Sequence, residues 1–210
     1  HKKEKIGEMS CNPAIGGLGK GHLVKEIDAL DGVMGRAIDV AGIQHRMLNS
    51  SRGPAVRGPR AQADRDLYKK AVQNFLNNQE NLSIIEASVD DLNISNNTIN
   101  GVILENSIKL FSKTVVLTTG TFLRGMIRIG RDSYPAGRIG DKPSIELAKK
   151  IESLKFSIGR LKTGTPPRID KKSIYFNKLD EQPPDNKRKK AKIGAIKMRC
   201  FRIKNPYLLT

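Results

Sequence analysis

Between Ser10 and Asp28 the chain reads SCNPAIGGLGKGHLVKEID, and Gly16, Gly17, Gly19 and Gly21 fall within six positions of one another. Inside a helix or strand each glycine would cost about 0.5–1 kcal/mol relative to alanine. The density is tolerable only where the backbone takes positive φ or approaches another group closely. A phosphate, a flat ring or a neighbouring strand each qualifies. Leu23, Val24, Ile27 and Leu30 then recur at helical spacing, which predicts a glycine turn running into an amphipathic helix, a ready place for an anion. The turn matches neither known phosphate loop. A Walker A sequence needs glycine where Ala14 stands and Ser or Thr where Gly21 stands, and a dinucleotide fingerprint needs glycine at His22. A ligand loop and a purely structural turn both remain open.

Charge is the strongest compositional signal. The chain of 210 residues carries a net +17, with 38 Lys or Arg against 21 Asp or Glu. Nine of the basic residues and none of the acidic ones lie in 186–210. Residues 1–185 are moderately basic, which suggests a polyanionic partner, nucleic acid first among them, or simply a charged surface. Cys11 and Cys200 are too few for a disulfide framework or a zinc cage, so no metal site is expected and a reducing, cytoplasmic setting is. No apolar run approaches the roughly eighteen residues of a membrane span, and HKKEKIGEMS lacks a signal-peptide core. Without an initiator methionine, the chain reads as an interior segment.

Along the chain, Gly32 and Gly35 are expected to break the first helix, with a short amphipathic segment over Arg36–Gln44. The stretch NSSRGPAVRGPR, Asn49–Arg60, reads as a non-helical loop whose Arg52, Arg57 and Arg60 suit phosphate recognition or a solvated connector. A helix is predicted over Gln62–Asn77, with Ala63, Leu67, Ala71, Val72, Phe75 and Leu76 on one face. The period then changes to short strands over Leu82–Val89, Leu92–Ser95 and Ile99–Leu104, with turns at Asn96-Asn97 and Glu105-Asn106. Thr114–Gly120, TVVLTTG, reads as a buried strand stopping at a glycine. A long loop, 120–141, precedes a helix over Pro143–Leu154 that Asp141 or Ser144 would cap. Gly159–Asp170, GRLKTGTPPRID, is a second basic loop with Arg160, Lys162 and Arg168. Beyond Asp185 the chain has no consistent period. It reads as a polybasic arm or, preferably, as a divergent, disordered or frameshifted tail.

Four collinear blocks carry a resemblance: SCNPAIGGLGKGHLVKEIDAL, AGIQHRMLNSSRGPAVRGPRAQADRDLY, VVLTTGTFLRG and GRLKTGTPPRID. Together they resemble the glucose-inhibited division protein A family of tRNA uridine-modifying flavoenzymes, over residues 1–185 and roughly a third of a family member. The resemblance implies an α/β fold, a partial FAD-binding domain of the two-dinucleotide-binding type with an antiparallel β-meander. Its first Rossmann strand and glycine turn would lie before His1. It implies FAD and NADH as cofactors and a folate one-carbon donor. Its expected partners are tRNA, a tRNA modification GTPase and a second copy in a homodimer. The reaction implied is addition of an aminomethyl-type group at C5 of the wobble uridine.

Carried across, Cys11 matches a flavin-side catalytic cysteine, whose thiol a helix terminus and Lys20 would activate. Val89 and Ser144 match cofactor contacts. Asn12, Gly16, Gly17, Thr119 and Gly120 complete the expected flavin surface, and the two basic loops would face tRNA. The second cysteine, the later glycine-rich FAD segment, the NAD-binding stretch and the helical C-terminal domain have no counterpart here. Inactivity and weak FAD binding are therefore expected of this chain alone. Rival readings are a non-catalytic basic RNA-binding protein, one piece of a split enzyme, or a decayed remnant.

Overall fold

The computed structural model describes residues 2–167 and 169–185. The expected tail at 186–210 and Arg168 lie outside the described residues. Two compact units emerge: an N-terminal unit of residues 5–82 with 165–185, and a meander unit of residues 2–4 with 83–164.

In the N-terminal unit the chain order is β1 (Ala14–Gly16), α1 (Gly21–Ala29), α2 (Val33–Ala41), β2 (Gly42–Leu48), β3 (Gly58–Ala63) and α3 (Arg65–Asn77). The strands form one antiparallel sheet in the order β1-β3-β2. Ile15 pairs with Ala61, and His45 pairs with the same Ala61 from the other side. Helices α1 and α2 cover β1 and β3, and α3 packs on α2. The core runs through Ile15, Val24, Ile38, Ala61, Tyr68 and Val72. Ile38 is fully buried, worth about 1.5–3 kcal/mol of hydrophobic transfer. Ala37 and Ala41 let the helices approach closely.

Gly35 does not break a helix; it is buried inside α2, and only Gly32 separates α1 from α2. The segment Arg36–Gln44 is split, because the helix stops at Ala41 and β2 starts at Gly42. The basic loop Asn49–Arg60 contains a 3-10 turn at Pro54–Val56, and Gly58–Arg60 belong to β3. Helix α3 starts at Arg65 because the Asp64 carboxylate accepts from the Asp66 and Leu67 amides at 3.0 and 2.9 Å, a cap worth about 1 kcal/mol. Its buried face is Tyr68, Ala71 and Val72, while Leu67 faces out. In α1 only Val24 of the four spaced apolar residues is buried.

The meander unit holds β4 (Val89–Ser95), β5 (Thr98–Leu104) and β6 (Lys109–Phe111) in an antiparallel sheet of that order. The first turn is the one expected: Asn96 and Asn97 both take positive φ, 49° and 59°, as a two-residue hairpin of right-handed twist requires. Residues 82–88 are not a strand; the first ladder residue is Val89. The 120–141 loop contains a hairpin, β7 (Met126–Ile129) with β8 (Asp132–Pro135). Helix α4 (Glu146–Ser153) packs on β4, where Lys150 pairs with Asp91 at 3.1 Å.

The expected buried strand at Thr114–Gly120 is not formed. Val116 is 84% exposed and Leu117 42%, and no described strand lies along them to supply ladder partners. All named sheets are antiparallel, so the meander part of the expected fold is present and its parallel sheet is not among the described residues.

Candidate functional site

The cysteine-bearing turn precedes β1. Asn12 O accepts the Ala14 amide at 2.8 Å across Pro13, a tight turn that the fixed φ of proline favours. The turn is stapled to the end of β3 and to the start of α3. Pro13 O accepts the Ala63 amide at 2.7 Å, and the Arg65 guanidinium donates to Cys11 O at 2.8 Å. Cys11 and Asn12 are exposed, so the thiol stands at the surface of a fixed turn. Arg65 escaped the sequence reading. Its signal was available: a cation in the first helical turn opposes the helix dipole, which asks for another use of that guanidinium.

The glycines after this turn have structural work. A Cβ on Gly16, at φ +90°, would overlap the Pro59 carbonyl oxygen. Gly17 donates to Pro59 O at 2.8 Å, and its own carbonyl accepts from Lys20 and Gly21 at 3.3 and 2.7 Å. The loop's glycines thus close β1 onto β3, and the backbone of Gly17 is committed to that closure.

The meander unit brings three of the expected cofactor residues together. Thr119 O accepts the Phe122 amide at 3.1 Å, closing a turn over Gly120. Ser144 joins this turn: its amide donates to Phe122 O at 2.9 Å and its carbonyl accepts from Arg124 at 3.1 Å. Ser144 therefore does not cap α4, whose N-cap is Ile145 with no side-chain hydrogen bond. Asp141 does not cap it either. It pairs with Arg138 at 2.9 Å, both side chains only 16% exposed, and Arg138 lies over the Phe122 ring at 5.4 Å. Thr121 Oγ1 donates to Gly137 O at 2.7 Å, tying the same loop down. Val89 opens β4 opposite Leu104, on the strand against which α4 packs.

Against a flat cofactor ring these residues divide. Gly120 has φ +56° and nothing within 4 Å of an added Cβ, an open backbone a ring can approach. A Cβ on Gly16 would strike the Pro59 carbonyl of β3, while one on Gly17 would only touch the Arg60 and Leu48 side chains. Of the expected cofactor positions, Gly120 thus keeps an open backbone beside Thr119, and Ser144 joins that turn through its amide and carbonyl.

The basic residues separate as well. Arg57 Nε donates to Arg52 O at 2.9 Å, folding the exposed 49–57 loop on itself. Arg60 lies in β3 directly across from Arg46. In the meander unit Arg160 donates to Arg124 O at 3.1 Å, and Lys162 is exposed. Among the described residues no His/Cys/Asp/Glu group is suited to a metal, and no helix is long and apolar enough to cross a membrane.

A mixed α/β chain with a stapled cysteine turn and an antiparallel meander is what these elements define. The family profile of Glucose inhibited division protein A matches residues 1–204, and the chain belongs to that family. The match continues past Asp185, where the sequence reading places a divergent tail. The chain is similar to the tRNA uridine 5-carboxymethylaminomethyl modification enzyme MnmG of Granulibacter bethesdensis, 61% identical over 189 residues, covering 89% of this chain and 30% of that protein. It is also similar to the solved structure of Aquifex aeolicus GidA in two crystal forms. Each has 47% identity and a TM-score of 0.81, over 88% of this chain and 30 or 31% of the other. The chain therefore spans about a third of the length of these relatives.

Proposed function

We propose that this chain contributes the cysteine turn and one flavin edge of an FAD-dependent enzyme that modifies C5 of the wobble uridine in tRNA. The observation that carries the reading is the 61% identity to a tRNA uridine modification enzyme across 89% of the chain. FAD, when bound, supplies the redox chemistry for the one-carbon unit, with NADH as reductant and a folate as donor. Thr119, Gly120, Val89 and Ser144 would border the ring, and Asn12, Gly16 and Gly17 would shape the loop that carries Cys11.

In this reading the Cys11 thiol acts at the pyrimidine as nucleophile or proton donor, and Arg65 positions it by holding the Cys11 carbonyl. Arg52, Arg57, Arg60, Arg160, Lys162 and Arg168 would contact tRNA phosphates, giving salt-sensitive affinity. The remaining partners of the reading are a tRNA modification GTPase, a second copy of the chain and a cytoplasmic setting.

The test is co-expression of the chain with a polypeptide supplying the rest of the family's length, in cells lacking the native enzyme, with nucleoside mass spectrometry of bulk tRNA. The modified uridine is expected with the unsubstituted chain and lost with Cys11→Ser. A soluble, associated pair that makes no modified uridine, or one indifferent to Cys11→Ser, would overturn the reading.

A further inference from the structure

The sheet of the N-terminal unit has one face in the core and one turned away from it. Ile15 and Ala61 belong to the core cluster, and successive side chains of a strand point to opposite faces. Arg60 and Gln62, on either side of Ala61, therefore share the other face with their partners on β2, Arg46 and Gln44. From β1 the same rows receive only Ala14 and Gly16.

Two features of this face are unfavourable as they stand. The first is that Arg46 pairs directly with Arg60, and like charges directly opposite one another are destabilising. No carboxylate forms an ion pair with either among the described residues. Arg46 Nη1 donates to a neutral partner, Pro183 O, at 3.3 Å. The Asp185 carboxylate, brought to β2 by the same segment, accepts the Met47 amide at 2.7 Å instead. The Arg60 guanidinium has no hydrogen-bond partner among the described residues. Its stem runs beside Gly17, with Cδ 3.6 Å from where a Cβ would stand. The second feature is Gln62 Oε1, buried without a hydrogen-bond partner and about 7 Å further along β3 from the arginine pair. A buried polar atom of this kind calls for a partner that the chain does not supply.

We propose that Arg46, Arg60 and Gln62 form a discrete site for one phosphate group on this face. The guanidiniums offer forked N–H donors, and the Gln62 amide, turned end for end, offers Nε2 as a third source. Donors from three side chains suit the several oxygens of a phosphate better than the two of a carboxylate. A bound anion also replaces the Arg46–Arg60 repulsion by attraction to a shared centre. The phosphate comes from an RNA backbone or from a free phosphate, and the chemistry of the site is the same for both. The site shares Arg60 with the tRNA reading and goes beyond it. Because the test is made on the chain without tRNA, either reading can fail while the other stands.

The experiment is a titration of the full chain with inorganic phosphate at constant ionic strength. It is followed by the Arg60 Nε–H and Gln62 side-chain amide signals in NMR and by thermal denaturation. Both signals are expected to shift saturably and the Tm to rise, with acetate competing poorly. Arg60→Ala and Arg46→Gln should each weaken binding about tenfold, and Arg60→Lys, which keeps the charge but loses the fork, by less. Gln62→Leu should weaken it about threefold while leaving stability without phosphate unchanged or higher, since it removes an unanswered buried oxygen. Arg131→Ala, at an exposed arginine of the other unit, is the charge control and should change nothing. A short single-stranded RNA that displaces the phosphate identifies the RNA backbone as its source; RNA bound alongside it identifies a free phosphate, and both outcomes keep the site. Shifts that do not saturate overturn the proposal, as does equal weakening by Arg131→Ala and Arg60→Ala. So does a Gln62→Leu chain that loses stability without phosphate, because Oε1 would then have a partner within the protein.

Discussion

The N-terminal unit and the meander unit are built from comparably apolar sequence, yet only one of them buries it in a continuous core. In the N-terminal unit three helices and a sheet enclose Ile15, Val24, Ile38, Tyr68 and Val72 in one cluster. The meander unit buries Leu92, Leu104, Phe122 and Leu147 on separate elements, and leaves Phe111 and Val116 exposed. Helices satisfy their backbone within themselves and need only a face to pack on, whereas a strand must have neighbours on its edges. TVVLTTG has the composition of a buried strand and no described neighbour, so it stays extended and uncovered.

The sharpest test of this contrast is truncation in each unit. Ile38→Ala is expected to cost about 2–5 kcal/mol, because a fully buried side chain leaves a cavity in packed surroundings. Val116→Ala should change stability by less than about 0.5 kcal/mol. Native-state hydrogen exchange resolves the two units separately. Equal losses at both positions would show that Val116 is covered in solution.

Next in size is a pair of glycines with positive φ. Gly16→Ala combines a disfavoured backbone with overlap on Pro59 O, an expected loss of about 2–4 kcal/mol. Gly120→Ala meets nothing within 4 Å and should cost only the conformational strain, about 1–2 kcal/mol. Thermal denaturation of the two variants distinguishes a glycine used for packing from one that leaves a surface open. For Gly120, flavin binding to the assembled enzyme falling further than stability would place a ligand there.

Smaller again is the comparison of helix starts. Asp64→Ala should cost about 1 kcal/mol by removing the α3 cap. Ser144→Ala should stay within about 0.5 kcal/mol, because Ser144 acts through its backbone and caps nothing. Denaturant midpoints decide this, and a Ser144→Ala loss matching that of Asp64→Ala would contradict the described α4 start.

These pairs also mark what could be read from the residues. The Asn96-Asn97 turn and α3 were legible because their signals are local: paired residues tolerant of positive φ, and apolar residues at helical spacing. β3 was not, since GPRAQA carries proline, arginine and glycine, and becomes a strand only because β1 and β2 flank it. Tyr68 displaced Leu67 from the predicted face for the same reason: α2 decides which side of α3 is inside. At the candidate site, Cys11 and the glycine turn stood out, but the joining of Ser144 to the Thr119–Phe122 turn spans more than twenty residues and left no local trace. Arg65 was visible only as a misplaced charge.

The smallest effect separates the units by sign. Burial, chiefly, and then the nearby Asp39 and Asp31 carboxylates hold Asp28 above its usual carboxylate range, with Arg36 partly offsetting them. The folded chain therefore binds that proton more tightly than the unfolded chain does. The resulting stability is full below the ordinary aspartate value, about 3.9, and is lost as pH rises through the elevated folded value. Asp28→Asn stays neutral throughout, so at pH 7 it is expected to stabilise the N-terminal unit by a few tenths of a kcal/mol, within the usual range for surface changes. That gain should vanish on acidification to below the ordinary aspartate range. In the meander unit Asp91→Asn goes the other way, losing the 3.1 Å contact with Lys150 while an amide oxygen can still accept from Leu92. Urea titrations read unit by unit through exchange should show, at pH 7, a gain at Asp28 and a loss at Asp91, with the Asp28 gain gone below the ordinary aspartate range. The same sign at both positions would mean that net charge, and not the surroundings of each carboxylate, governs the response.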